Sequence, residues 1–222
     1  MRVLLSVLLA CVPSFAGTIS LSADCSGEVT TYTSDSASCG SEVTVGASAE
    51  VDVTGQYVTA SAWLPGNGGA SASASASFTE DYVFTVWGVS GDGFAEPLLA
   101  AQGGNQGSDW ASASASLGGC ELSQGGSGRP QQCPWASIPF EYDVPQTLTL
   151  SLYADASASV FGDDFSVAGE DGFAFFDTSG NPLGAIPYSF DPAPAPEPGT
   201  LPLLTGMACA AIIAVKRRRQ RR

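Results

Sequence analysis

The residues of this 222-residue chain whose types could do chemistry are six cysteines, four tryptophans and 22 carboxylates, with no histidine. Without imidazole, Ser-His-Asp and Cys-His catalysis and the common His-based zinc and haem sites fall away. Paired carboxylates could serve glycoside hydrolysis, with Glu141 and Asp143, or Glu80 and Asp81, as the candidates. Neighbours on a strand point to opposite faces, however, and residues two apart share a face only if the strand is regular. Asp163, Asp164, Glu170 and Asp171, with Asp92 in a Gly-Asp-Gly turn, offer hard oxygen ligands of the kind that hold Ca²⁺. Their spacing matches no EF-hand or nonapeptide repeat, so the expectation is solvated surface, with no metal and no cofactor. Trp63, Trp87, Trp110 and Trp135 could stack sugar rings, but the favoured reading makes them filler for a core short of bulk. No Gly-rich loop leads into a Lys and a helix, so nucleotide phosphates have no cradle.

Four cysteines, Cys25, Cys39, Cys120 and Cys133, lie clear of the chain ends, an even number that suits a disulfide framework in an exported protein. Three connectivities are possible. Proximity favours Cys25–Cys39 and Cys120–Cys133, each closing a short loop worth roughly 3 kcal/mol in chain entropy. A metal site is the weaker alternative, since no spacing resembles Cys-x-x-Cys and no histidine can complete the set.

The elements that position these groups read as strands. From Ala70 to Val86 one face is Ala, Phe78, Glu80, Tyr82, Phe84 and Val86, and the other begins with Ser71, Ser73, Ser75 and Ser77. Leu148–Val160 and Ala111–Leu117 alternate in the same way. Strict period two marks a half-buried strand, and a helix would scatter these faces around its axis. Further strands are expected near 28–33, 42–54, 56–62, 138–142 and 172–176, separated by Gly-rich turns. The expected fold is an all-β, antiparallel β-sandwich of about eight strands, jelly-roll-like. Ala buries little area, so either the sheets approach closely at the alanine faces or those strands run on as a ribbon.

The two ends read as addresses. Met1-Arg2 and the apolar run to Val12, followed by Pro13-Ser14-Phe15-Ala16, form a signal peptide over 1–16, cleaved by signal peptidase between Ala16 and Gly17. A competing reading lipidates Cys11. The body, 17–190, precedes a Pro-rich linker over 191–198. An uncharged stretch over 199–215 then makes about 25 Å of helix, enough for a marginal membrane span. The basic tail of Lys216, Arg217, Arg218, Arg219, Arg221 and Arg222 stays in the cytoplasm by the positive-inside rule, with everything before Gly199 outside. Residues 17–198 hold all 22 acidic groups against one basic side chain, Arg129, and such a body repels nucleic acid and anionic lipid.

Pro196-Glu197-Pro198, then a short apolar helix, then an Arg-rich terminus resembles the PEP-CTERM sorting signal of Gram-negative bacteria, in that family's order and spacing. The resemblance covers about 27 residues. It implies processing by an exosortase, a membrane cysteine transpeptidase that cuts near Pro196–Pro198, in bacteria that make exopolysaccharide and biofilm. The Ala-Ser blocks and 173–183 are also similar to other exported PEP-CTERM proteins. The expected function is that of a non-enzymatic exported surface or matrix protein, briefly anchored in the inner membrane. A carbohydrate-binding or adhesive module that takes exopolysaccharide is the alternative.

Overall fold

A computed structural model describes residues 17–26, 30–40, 45–64, 71–88, 91–104, 110–123, 131–159 and 162–194. The expected signal peptide, the Pro196-Glu197-Pro198 motif, the apolar stretch 199–215 and the basic tail lie outside them. The described residues form no helix, and fourteen strands in two antiparallel sheets. The strands are β1 (Thr18–Cys25), β2 (Thr31–Tyr32), β3 (Ser36–Gly40), β4 (Gly46–Asp52), β5 (Tyr57–Leu64), β6 (Ala72–Val86), β7 (Asp92–Gly103), β8 (Trp110–Leu117), β9 (Cys120–Ser123), β10 (Gln131–Gln132), β11 (Ile138–Glu141), β12 (Gln146–Ala158), β13 (Gly162–Asp177) and β14 (Tyr188–Pro192). The first sheet runs β1-β6-β12-β8-β9, with β14 also on β6. The second runs β10-β7-β13-β5-β4-β3-β2, with β11 also on β7.

The alternation seen in the sequence becomes the burial pattern. Ala72, Ala74, Ala76, Ala154, Ala156 and Ala158 of the first sheet face inward and are buried, as are Ala47, Ala49, Ala60, Ala62 and Ala168 of the second. Of the two arrangements open to alanine faces, the sheets adopt close approach. Cα atoms of β12 and β5, in opposite sheets, come within 8 Å of one another, against roughly 10 Å between ordinary packed sheets. The Ser166 hydroxyl, fully buried on β13, spans the gap and donates to the Asp155 carbonyl of β12 at 2.8 Å. Where β7 passes over to β8, a Cβ on Gly103 would meet the Ala111 carbonyl oxygen at 2.3 Å, so only glycine fits. Bulk collects at the other end of β6, where Phe84 meets Phe173 at 4.5 Å and Tyr82 stacks on Phe190 at 4.3 Å. Phe140 adds an edge-on contact with Phe175. Constant packing density makes the interior a wedge, thin over alanine and thick over aromatics.

Both disulfides join the pairs that proximity favoured, Cys25–Cys39 and Cys120–Cys133, with Cα separations of 6.0 and 5.7 Å. Cys25 ends β1 in the first sheet and Cys39 lies on β3 in the second. Cys120 starts β9, and Cys133 follows β10. Each bridge therefore closes one open edge between the sheets.

Several segments differ from expectation. β1, β3, β7, β9, β10 and β14 were not anticipated, the segment expected near 42–54 contains the shorter β4, and β13 begins ten residues before the expected 172. Within β13 a bulge between Glu170 and Phe173, with Gly172 at φ 107°, lets the strand continue past an extra residue. The ordered body also runs into the segment read as linker: Pro192 pairs with Tyr82, and the Ala193 N–H donates to the Asp81 carbonyl at 2.7 Å.

If alanine sets the sheet separation, enlarging it must force the sheets apart. Ala154→Leu or Ala60→Leu is expected to cost about 1–3 kcal/mol in urea unfolding, whereas the exposed Ser73→Ala stays within about 0.5 kcal/mol. Equal effects from the two kinds of substitution would show that the interior has slack.

Candidate functional site

The first and last strands of the body share one edge of β6. β1 covers it from Thr18 opposite Thr79 to Cys25 opposite Ala72, and β14 covers it from Tyr188 opposite Val86 to Pro192 opposite Tyr82. The two ends of the body therefore meet at Glu80 and Asp81. These neighbours point to opposite faces, as strand geometry requires. Asp81 is exposed and accepts the Thr149 hydroxyl at 2.6 Å, while Glu80 is only 2 % exposed. Both Glu80 carboxylate oxygens and the Tyr82 hydroxyl are buried without a hydrogen-bond partner. Burial and the charge of Asp81 push the Glu80 carboxyl above its ordinary range.

Glu170 approaches the same interior from the opposite sheet. The bulge turns its Oε1 onto the Gly172 N–H at 2.6 Å. Burial, outweighing that hydrogen bond, pushes its carboxyl up to about 7, with Asp171 adding to the rise. Tyr82 is raised by burial and by the charges of Glu80 and Glu170, and Tyr188 by burial and by Glu170 and Asp171. Acidic and phenolic groups thus follow one another along this part of β6: Glu80 and Glu170 act on Tyr82, and Glu170 and Asp171 act on Tyr188. No lysine, arginine or histidine stands among the described residues to balance them. The signal in the sequence was Glu80 itself, a carboxylate on the apolar face of an otherwise regular strand.

The outer face of the first sheet is different in kind. Ser77, Thr79, Ser114, Ser116, Ser151 and Tyr153 line a shallow depression of about 190 Å³, smaller than the roughly 300 Å³ at which small-molecule pockets begin. Tyr153 is partly exposed and donates to Asp155 Oδ2 at 2.5 Å; burial and that hydrogen bond push its phenol up to about 12. Depression, hydroxyls and ring form an open surface.

The other candidates disperse. Asp163, Asp164, Glu170 and Asp171 flank no loop but lie along β13, and seven residues of strand put Asp163 about 23 Å from Glu170. Among the described residues no group of three Asp, Glu, Cys or His is placed to hold a metal. Glu141 ends β11, and Asp143 takes a left-handed φ of 62° in the turn beyond it, so the regular strand that would have aligned them is absent. The tryptophan expectation is overturned for those described. Trp135 and Trp87 are 68 % and 48 % exposed, and half-buried Trp63 lies over Gly46 on the outer face of the second sheet, so none of these three is core filler. An interior spaced by alanine has no room for an indole. Nor do they form one row, because Trp63 and Trp87 belong to opposite ends of the sheets. The Trp110 side chain lies outside the described residues. Comparison with protein-family models, curated proteins and solved structures finds no match to this chain.

The raised Glu170 carboxyl makes stability depend on pH. The fold favours its protonated form, so its contribution is complete below about pH 4.5, the unfolded value, and is lost as pH rises through about 7. Between pH 5 and pH 8 the native protein should lose about 2–3 kcal/mol relative to Glu170→Gln in urea unfolding. Parallel stability curves would remove Glu170 from this role.

Proposed function

We propose that this chain is a non-enzymatic exported surface or matrix protein. It leaves the cell by the general secretory route, is cleaved by signal peptidase between Ala16 and Gly17, and is held by the 199–215 segment. An exosortase then sorts it through Pro196-Glu197-Pro198 into the cell envelope or exopolysaccharide matrix. The observation that carries the reading is the tripartite C-terminus paired with an N-terminal signal. Two disulfides across the sheet edges suit an oxidising compartment. The shared edge of β6 also supports it: both ends of the body leave at one place, as expected of a domain tethered first by one end and then by the other. We read the interleaved order, β5-β13-β7 in one sheet against β6-β12-β8-β9 in the other, as a jelly roll, a scaffold that needs no active site to be stable.

A second reading, saccharide binding, is favoured by the hydroxyl-lined depression beside Tyr153 and by the exposed Trp87 and Trp135. It is compatible with the first, since a matrix protein has polysaccharide for a neighbour.

For sorting, the intact mass of the extracellular protein is compared between hosts with and without the exosortase. Loss of the residues after the Pro196–Pro198 region only when the enzyme is present is the expected result, and an intact C-terminus on mature protein defeats the proposal. For binding, Tyr153→Ala should weaken retention on host exopolysaccharide by about tenfold, the ~1.4 kcal/mol of one stacked ring. Unchanged retention leaves the outer face as surface only.

A further inference from the structure

The structure assigns Glu80 a partner that exists only after export: the α-ammonium group of Gly17, released when the Ala16–Gly17 bond is cut. The inference rests on the signal-peptide reading and goes beyond it, because it gives the new chain end a binding site in the fold.

Thr18 pairs with Thr79, so Gly17 stands across from Glu80 where β1 begins. A Cβ on Gly17 would lie 3.1 Å from Glu80 Cβ and 3.2 Å from its carboxyl carbon, so the carboxyl packs closely against Gly17. The carboxyl is buried and neither oxygen has a hydrogen-bond partner. A buried carboxylate left in this state is costly, and one facing an ammonium group is not. The surroundings offer no other cation. Asp81, Tyr82, Glu170, Asp171, Tyr188 and Asp191 are the titratable groups of β6, β13 and β14 nearby, and all are acidic or phenolic. Leu150 of β12 stands across from Glu80, and the buried Val51 of β4, Val58 of β5 and Phe140 of β11 are apolar. Arg129, the one basic side chain of the body, lies outside the described residues.

Cleavage supplies what is missing. Water adds across the Ala16–Gly17 amide, the C–N bond breaks, Ala16 leaves as a carboxylate and the Gly17 nitrogen becomes an ammonium. Before the cut that nitrogen is a neutral amide carrying one hydrogen. Afterwards it has a positive charge and three donors on a residue whose Cα already borders the carboxyl. The pair forms without rearranging β1, and it fastens the edge strand that cleavage would otherwise leave free to fray. A side chain at position 17 would make the Glu80 side chain and the Thr79 carbonyl give way by a few tenths of an ångström, so glycine is the residue that fits there without adjustment.

The test uses the exported, processed protein, with its first residue identified by mass and terminal sequencing. The chain has a single lysine, Lys216, so the α-amine is nearly the sole primary amine and its titration can be read from its rate of reductive methylation against pH. An ordinary α-amine titrates near 7.7–8.0. Pairing with Glu80 should raise this by at least one unit, slowing modification about tenfold at pH 7.5. Two variants should restore the ordinary rate: Glu80→Gln, and a serine inserted between Ala16 and Gly17, which moves the ammonium one residue along while keeping Glu80. The insertion carries the test if Glu80→Gln does not fold. A Gly17 amine that titrates normally, or a raised value that persists in the insertion variant, overturns the pair and leaves the export reading standing. A mature chain that starts at another residue overturns the Ala16–Gly17 cut and the pair with it, and one that keeps residues 1–16 overturns the export reading as well.

Discussion

The separation of the two sheets governs the rest of the structure. Alanine on both inner faces lets β12 and β5 approach within 8 Å, close enough for a serine hydroxyl on one sheet to reach a backbone carbonyl on the other. Such an interior is cohesive through many short backbone and methyl contacts rather than through large buried side chains. It removes little apolar area from water per residue, so the aromatic end of the wedge and the covalent bridges supply what the alanine end lacks. Each bridge closes a loop of 13 or 14 residues, worth roughly 3 kcal/mol by the chain-entropy argument, a large share of the marginal stability of any domain. Their placement at the two open edges matters as much, because an edge is where closely spaced sheets would first let water in.

The same edge logic explains the ends of the body. β6 is the longest strand of its sheet, and neither β1 nor β14 alone covers its outer edge. Both are needed, and they meet over the one inward carboxylate of that strand. Residues that would ordinarily be frayed termini are therefore structural, and the domain is complete only when both ends are laid down.

Much of this was legible. Ala-Ser alternation identified β6, β8 and β12, and the spacing of the cysteines gave the observed bridges. β1 alternates as regularly, but it follows a few residues after the apolar run 3–12, which conceals where the period begins. β7 escaped because Pro97-Leu98-Leu99-Ala100-Ala101 is a continuous apolar run with no period to read, and its proline is tolerated where β13 bulges opposite it. The early part of β13 was hidden by glycines that mark a bulge rather than a loop. The tryptophans were misjudged for a different reason. Sequence suggests that a core poor in bulk should recruit large residues, whereas the geometry makes that core too thin to admit them. Bringing Glu170 toward Tyr82 and Tyr188 depends on cross-sheet register, which no local pattern encodes.

An alternating Ser-Ala sheet carries a hazard that its chemistry also answers. Flat faces of small residues stack readily, as in silk-like assemblies. Here serine pairs tie neighbouring strands along the outer faces, Ser22 with Ser75 at 2.9 Å and Ser48 with Ser61 at 2.8 Å, which leaves fewer hydroxyls free to bridge to another copy. Carboxylates are set among them at Glu50, Asp81, Glu121 and Asp155. With no cationic side chain among the described residues, two copies brought face to face would set like charge against like charge. The excess of acid over base is therefore a requirement of the Ser-Ala architecture: the composition that lets two sheets of one molecule pack tightly would let two molecules do the same, and uncompensated charge on the outer faces separates the two cases.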